Sequence, residues 1–185
     1  MDFNLSEEKI MRKVNTLAKE INEYYSKRLI REIYLIFILN SSFIFASDLM
    51  RKLSKAGMIL QTDVVSVKSY VGKKPKPIKA NVEDIYRAKL DNKNILIVDD
   101  ILDTGRTLTY VRELIFEHYK PKSMEICCLL NKVKAERNLH FEVRFIGFNV
   151  PDVFVVGYGI DYEGRYRELS YITTIDQIQG AKKND

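Results

Sequence analysis

Three apolar runs constrain this chain more than anything else in it: IYLIFIL at 33–39, NILIV at 94–98 and MEICCLL at 124–130. A strand with one wet face alternates apolar and polar residues. IYLIFIL does not alternate, which marks a strand buried on both faces. Stretches of helical period stand before and between the runs. Ser6 is an N-cap followed by Glu7 and Glu8, and Ile10, Val14, Leu17, Ile21 and Tyr25 then recur at helical spacing to about Lys27. A second helix is expected from Ser42 to Ala56, with Phe43, Leu49, Met50 and Leu53 inward and Gly57 as its stop. A third is expected from Gly105 to about Tyr119, burying Leu108, Val111, Leu114 and Ile115. DVVSVKSY (63–70), VRFIGF (143–148) and FVVGYG (154–159) read as further strands, and the polar tail after Ile175 is expected to fray. Strands alternating with helices predict an α/β fold, a mainly parallel twisted sheet flanked by helices.

The 185 residues suit one domain, 1–185, with a substantial core. A net charge of +5 fits anionic small molecules as well as RNA, so it decides little. VGKKPKPIKANVED (71–84) has no period and is dense in Lys and Pro, so it predicts an exposed, mobile basic loop or a loose hairpin arm. The start, MDFNLSEEKIMRKV, lacks the order of a signal peptide. IYLIFILNSSFIFASDLM (33–50) is apolar enough to raise a membrane span. Asn40, Ser41, Ser42 and Asp48 interrupt it short of the ~20 clean residues a span requires. The only cysteines, Cys127 and Cys128, are strand neighbours that point apart, which predicts two buried thiols in a reducing cytoplasm.

In a parallel sheet, ligands bind beyond the carboxyl ends of the strands. That rule gathers four polar stops on one edge: Asn40-Ser41-Ser42, Ser69-Tyr70, Asp99 to Thr107, and Asn131-Lys132. The third is the richest. ILIVDDILDTGRTL (95–108) places Asp99, Asp100 and Asp103 beside the turn Thr104-Gly105-Arg106-Thr107. Unpaired amides at a helix N-terminus attract anions, Gly105 permits a tight turn, and the threonines add hydroxyl donors. Carboxylates repel the same anion. A sugar phosphate reconciles them: hydroxyls for the acids, directly or through Mg²⁺, and a terminal phosphate for the turn. A triphosphatase P-loop is excluded because no Gly stands five residues before Gly105 and Arg106 replaces Lys. A dinucleotide fingerprint is excluded because Gly105 stands alone.

ILIVDDILDTGRTL resembles the phosphoribosyl-pyrophosphate (PRPP) signature of type I phosphoribosyltransferases. SSFIFASDLMRKL, Ser69-Tyr70, LLNK and FVVGYGIDYEGRYRELSYI resemble the hypoxanthine/guanine branch, so that the likeness runs over roughly residues 5–172. It implies the type I phosphoribosyltransferase fold, with a small hood region built from 150–185 and the N-terminal segment. It implies purine salvage: transfer of the phosphoribosyl group of PRPP to N9 of a 6-oxopurine, giving a purine nucleoside monophosphate (IMP or GMP) and pyrophosphate.

By the same resemblance, Asp103 is the acid/base residue near purine N7, and Asp99 and Asp100 take the ribose hydroxyls and Mg²⁺. Thr104, Gly105, Arg106 and Thr107 hold the 5′-phosphate. Lys132 meets the 6-oxo group and disfavours adenine, Phe154 stacks on the purine, Val155 offers backbone groups to its edge, and Asp161 holds a second Mg²⁺. Arg167 pairs with pyrophosphate, and Ser69-Tyr70 begin a lid. Taken singly, Phe154 is a core residue, Lys132 a surface lysine and Arg167 a solvated charge. The family pattern Leu-Lys-Gly before the second helix is here Leu39-Asn40-Ser41, which implies weaker pyrophosphate binding through backbone amides. Relatives are dimers or tetramers, so the resemblance implies a cytoplasmic homodimer or homotetramer. The rival reading is an RNA-binding attenuation regulator on the same fold, which shares the Thr-Gly-Arg-Thr turn. That group usually carries an aromatic residue where this chain has Asp103.

Overall fold

The structure, a computed structural model, describes residues 3–71, 74–80, 88–133, 137 and 139–181. Nine strands and four helices are named here in chain order: β1 (Asn4–Leu5), α1 (Glu7–Ser26), β2 (Glu32–Leu39), α2 (Phe43–Lys55), β3 (Ile59–Val71), β4 (Lys74–Ala80), β5 (Asn94–Leu102), α3 (Arg106–His118), β6 (Ser123–Lys132), β7 (Phe145–Val150), β8 (Val155–Val156), β9 (Ile172–Thr174) and α4 (Ile175–Ala181).

The large sheet runs β4-β3-β2-β5-β6-β7. Its members β3, β2, β5, β6 and β7 are parallel, and β4 joins the edge antiparallel to β3. Of the loop or hairpin arm expected over 71–84, the backbone of 74–80 forms the arm; residues 72, 73 and 81–84 lie outside the described residues. A small antiparallel sheet, β1-β9-β8, joins segments from near both chain ends.

Side chains alternate across a strand, so an unbroken apolar strand feeds a core on each face of the sheet. One core takes Ile33 and Leu35 of β2, Leu96 and Val98 of β5 and Cys127 of β6, beneath α1 and α2. The other takes Ile36, Ile38, Ile95, Ile97 and Cys128 against α3. All five residues expected inward on α1 are fully buried, each contributing roughly 1.5–3 kcal/mol for a Leu- or Ile-sized side chain. Ser6 accepts from the Lys9 amide, as an N-cap should.

Several expectations are corrected. Phe43 does not enter the core: it is exposed at the first turn of α2, and Phe45 and Ala46 are buried instead. β3 begins at Ile59, drawn into the sheet by pairing along β2 from Glu32↔Ile59. FVVGYG forms strand only at Val155–Val156, because Gly157, Tyr158 and Gly159 all take positive φ, which a strand excludes. The segment after Ile175 does not fray at once but forms α4. Its entry is a capping box: Thr174 Oγ1 accepts from the Gln177 amide while Gln177 Oε1 accepts from the Thr174 amide. No helix among the described residues is long and apolar enough to cross a membrane.

Candidate active site

Strand order reverses between β2 and β5. The two strands pair from Tyr34↔Ile95 to Phe37↔Val98, and there their ladder stops. β5 stays with β6 as far as Leu102↔Asn131. The parting opens a crevice at the carboxyl ends, the place where parallel sheets bind ligands. A cavity of about 780 Å³ fills it. Its walls include Asn40, Ser41, Asp99, Asp100, Asp103, Thr104, Gly105, Arg106, Thr107, Lys132, Phe154, Val155, Asp161 and Arg167. Ser69 and Tyr70 lie on the backbone of β3, and their side chains fall outside the described residues.

The two adjacent acids do not follow β5, as the sequence implies, but belong to it. Asp99 pairs in register with Cys128, and the strand continues to Leu102. β6 supplies a ladder partner that outweighs the poor strand propensity of Asp. Both carboxylates are therefore buried, Asp99 at 5% and Asp100 at 2% exposure. Desolvation raises both above the ordinary carboxylate range, and the charge of Asp100 lifts Asp99 further. Ser41 Oγ donates to Asp100 Oδ1 at 2.8 Å, and Asp100 N donates to Asp99 Oδ1 at 3.0 Å. The described residues offer Asp100 Oδ2 no donor. Paired, oxygen-only and short of positive charge, these acids fit a hard divalent cation that completes its shell with substrate oxygens. The Leu39–Asn40 peptide beside them is cis.

α3 opens at Arg106 on Gly105, whose φ of +79° is left-handed and natural only to glycine. Gly105 has no side chain to cap this helix, no acid occupies its first turn, and the side-chain bond to its first amide, from Arg106 N to Thr104 Oγ1, is a long 3.5 Å. Its amides and the positive end of its dipole are thus available to an anion.

Lys132, at the end of β6, is buried at 9% exposure rather than being a surface lysine. Its ammonium lies 3.3 Å from Asp103 Oδ2 and 3.6 Å from Asp152 Oδ1. Phe154 is the reverse of a core residue: it is 46% exposed at the cavity wall, with Tyr162 packed edge-on at 5.5 Å. An aromatic face held open in this way accepts a planar ring. Val155 is fixed by antiparallel pairing with Thr174. Arg167 is no solvated charge either. It donates to Gly159 O at 2.6 Å and meets Asp161 Oδ1 at 2.9 Å, while Asp161 Oδ2 accepts from Gly164 N at 2.7 Å.

Two residues escaped the sequence reading. Asp152 shares Lys132 with Asp103, and an acid two places before Phe154 was the available sign. Arg137 lies in NKVKAERNLH, taken only as a polar connection. Its guanidinium donates to Asn131 Oδ1 at 2.6 Å, to Leu102 O at 3.1 Å and to Lys132 O, tying together the ends of β5 and β6. Two of its three partners are backbone carbonyls, which every residue has, so no motif announces it.

The chain matches the phosphoribosyl transferase domain family over residues 4–163. It is 40% identical over 174 residues to hypoxanthine phosphoribosyltransferase of Buchnera aphidicola, covering 91% of this chain and 92% of that one. With hypoxanthine phosphoribosyltransferase of Escherichia coli K12 it shares 39% over 177 residues, 93% of each chain. Hypoxanthine phosphoribosyltransferase of Trypanosoma cruzi, solved in complex with the product IMP, superposes with a TM-score of 0.82 at 30% identity, covering 94% of this chain and 93% of that one. The chain belongs to the phosphoribosyl transferase family, on its hypoxanthine/guanine branch.

Proposed function

We infer that this enzyme transfers the 5-phosphoribosyl group of PRPP to N9 of hypoxanthine or guanine, yielding IMP or GMP and pyrophosphate. The bond from C1′ to the pyrophosphate oxygen breaks, the bond from C1′ to N9 forms, and the purine gives up a proton. The observation that carries the reading is the Asp103–Lys132 pair, 3.3 Å apart on neighbouring strand ends, in one cavity with an exposed Phe154 and an uncapped helix N-terminus. Ring, oxo group, exchangeable proton and phosphate each find a counterpart there.

On this reading Lys132 donates to the 6-oxo oxygen, Phe154 stacks, and Val155 presents its backbone to the base edge. An amino group at the 6-position would face the ammonium, so adenine is rejected. Asp103 holds or moves the proton at N7. The turn Thr104 to Thr107 anchors the 5′-phosphate. Asn40 and Ser41 offer backbone amides to pyrophosphate, and Arg167 adds its guanidinium. Asp99 and Asp100 take the ribose hydroxyls and would hold Mg²⁺, and Asp161 a second ion. When bound, the metal supplies charge neutralisation for the departing pyrophosphate. Positioning and charge placement then supply most of the acceleration. Residues 1–185 work as one unit, with 71–84 as a lid that begins at Ser69-Tyr70 and the small sheet as a hood. On this reading the enzyme works in the cytoplasm, as a homodimer or homotetramer. An RNA regulator on this fold gains nothing from the comparisons.

The test is direct. The protein is mixed with PRPP and Mg²⁺ and offered hypoxanthine, guanine, xanthine and adenine in turn. Nucleotide is expected with hypoxanthine or guanine and not with adenine; failure with every oxopurine overturns the reading. Asp103→Asn is expected to lower kcat by about 10²-fold or more while leaving PRPP affinity within about twofold.

A further inference from the structure

The backbone ladder between β2 and β5 ends at Phe37↔Val98, yet a side-chain link crosses the crevice beyond it. Ser41, in the turn that follows β2, donates its hydroxyl to Asp100 Oδ1 at 2.8 Å. Its carbonyl is backed by Gly159: a Cβ built on that glycine would stand 2.3 Å from Ser41 O. Gly159 also presents the carbonyl that Arg167 holds. Ser41 is thus wedged between the carboxylate of β5 and the loop that carries Asp161.

We propose that the Ser41 hydroxyl is a positioning group that fixes the Asp100 carboxylate for Mg²⁺-dependent binding of PRPP. Asp100 is buried, and its carboxylate also meets the Asp99 side chain and the Ile101 backbone; those partners belong to its own strand, so Ser41 is the donor that holds it from across the crevice. Occupying Oδ1 from that side sets the carboxylate's χ2 and leaves Oδ2, the oxygen without a donor, for the ligand. Ser41 then has two separable duties. Its backbone faces pyrophosphate, and its side chain orders the carboxylate. Only the second depends on the residue type. The proposal rests on the PRPP reading above.

The experiment is calorimetric titration of PRPP, with and without Mg²⁺, into the wild type and into Ser41→Ala, Ser41→Gly and Ser41→Thr. In Mg²⁺, Ala and Gly are expected to raise the Kd for PRPP roughly tenfold, the scale of one hydrogen bond to a carboxylate. Thr, which keeps the hydroxyl, stays near wild type. Without Mg²⁺ the four proteins converge, which loss of a merely structural contact would not produce. In turnover the defect appears in KM for PRPP and not in KM for the purine. Wild-type affinity in both Ala and Gly overturns the proposal, as does a loss confined to one of them or an equal loss in Thr. A wild type that binds no PRPP in Mg²⁺ overturns the PRPP reading itself, a distinguishable result.

Discussion

Asp99 and Asp100 sit in β5 almost out of contact with water, and burial holds both carboxyls above their ordinary value of 3.8. The sign of the linkage follows. The folded state keeps protons that the unfolded chain has released, so stability falls as pH rises through the folded-state value of Asp99 and recovers as pH drops back toward 3.8. Asp99→Asn removes the charged form at constant shape. It is expected to raise the thermal midpoint of the ligand-free protein by ~2–4 °C near neutral pH and to flatten its pH dependence, while abolishing PRPP binding. Melting curves between about pH 5 and pH 8 check this; a midpoint lowered by the substitution would contradict it. Arg137 works the other way. It binds three groups on two strand ends, so Arg137→Ala should cost about 1–3 kcal/mol and lower kcat/KM for the purine about tenfold or more, as Lys132 and Asp103 lose their common frame. Arg137→Lys should not restore either quantity, because an ammonium lacks the planar fork. Denaturant titration and initial rates measure both.

Elements were legible where local chemistry and tertiary packing agree. α1 shows why: its cap at Ser6 and the fully buried series from Ile10 to Tyr25 are written at helical spacing in one short stretch. β5 shows the limit. Its apolar half was evident, but its continuation through Asp99 and Asp100 depends on β6, some thirty residues further on. Likewise β1 pairs with β9 across most of the chain, a contact no local pattern encodes. α4 was readable and missed, for Thr174 and Gln177 stand at capping-box spacing. In the site, the signature residues emerged from their order, whereas the exposure of Phe154 and the burial of Lys132 required the fold. The turn after β8 yields an element-scale prediction. Gly157 (φ +103°) faces backbone: an added Cβ would stand 2.0 Å from Tyr171 O, beside β9. Gly164 (φ +81°) faces open space. Gly164→Ala should therefore cost only the left-handed strain of about 1 kcal/mol, and Gly157→Ala about 2 kcal/mol or more, with distortion of the β8–β9 pairing. Equal losses in a denaturant titration would show that space plays no part.

At the scale of the molecule, β6 divides the interior: Cys127 faces the core under α1 and α2, and its neighbour Cys128 faces the core under α3. Burial pushes both thiols well above their ordinary range; nearby Glu20 adds to this at Cys127, and Asp99 at Cys128. A thiol that is both inaccessible and protonated does not react. In the native state at about pH 8 a disulfide reagent should therefore modify neither cysteine, whereas each is modified at once in denaturant. Slow native labelling then reports opening of the sheet. A sheet clamped on both faces opens as a unit, so the two cysteines should label with one rate although they belong to different cores. Ligand at a hundredfold excess over Kd stabilises the folded state by about 2.7 kcal/mol, so PRPP with Mg²⁺ should slow labelling of both by about a hundredfold. Mass spectrometry of partly labelled protein distinguishes the possibilities. Singly modified Cys128 accumulating ahead of Cys127 would mean that the α3 face opens alone and that the two cores are separate cooperative units. Doubly modified and unmodified chains with little between would mean that one transition governs both, and that the site at the crevice is braced by the whole sheet.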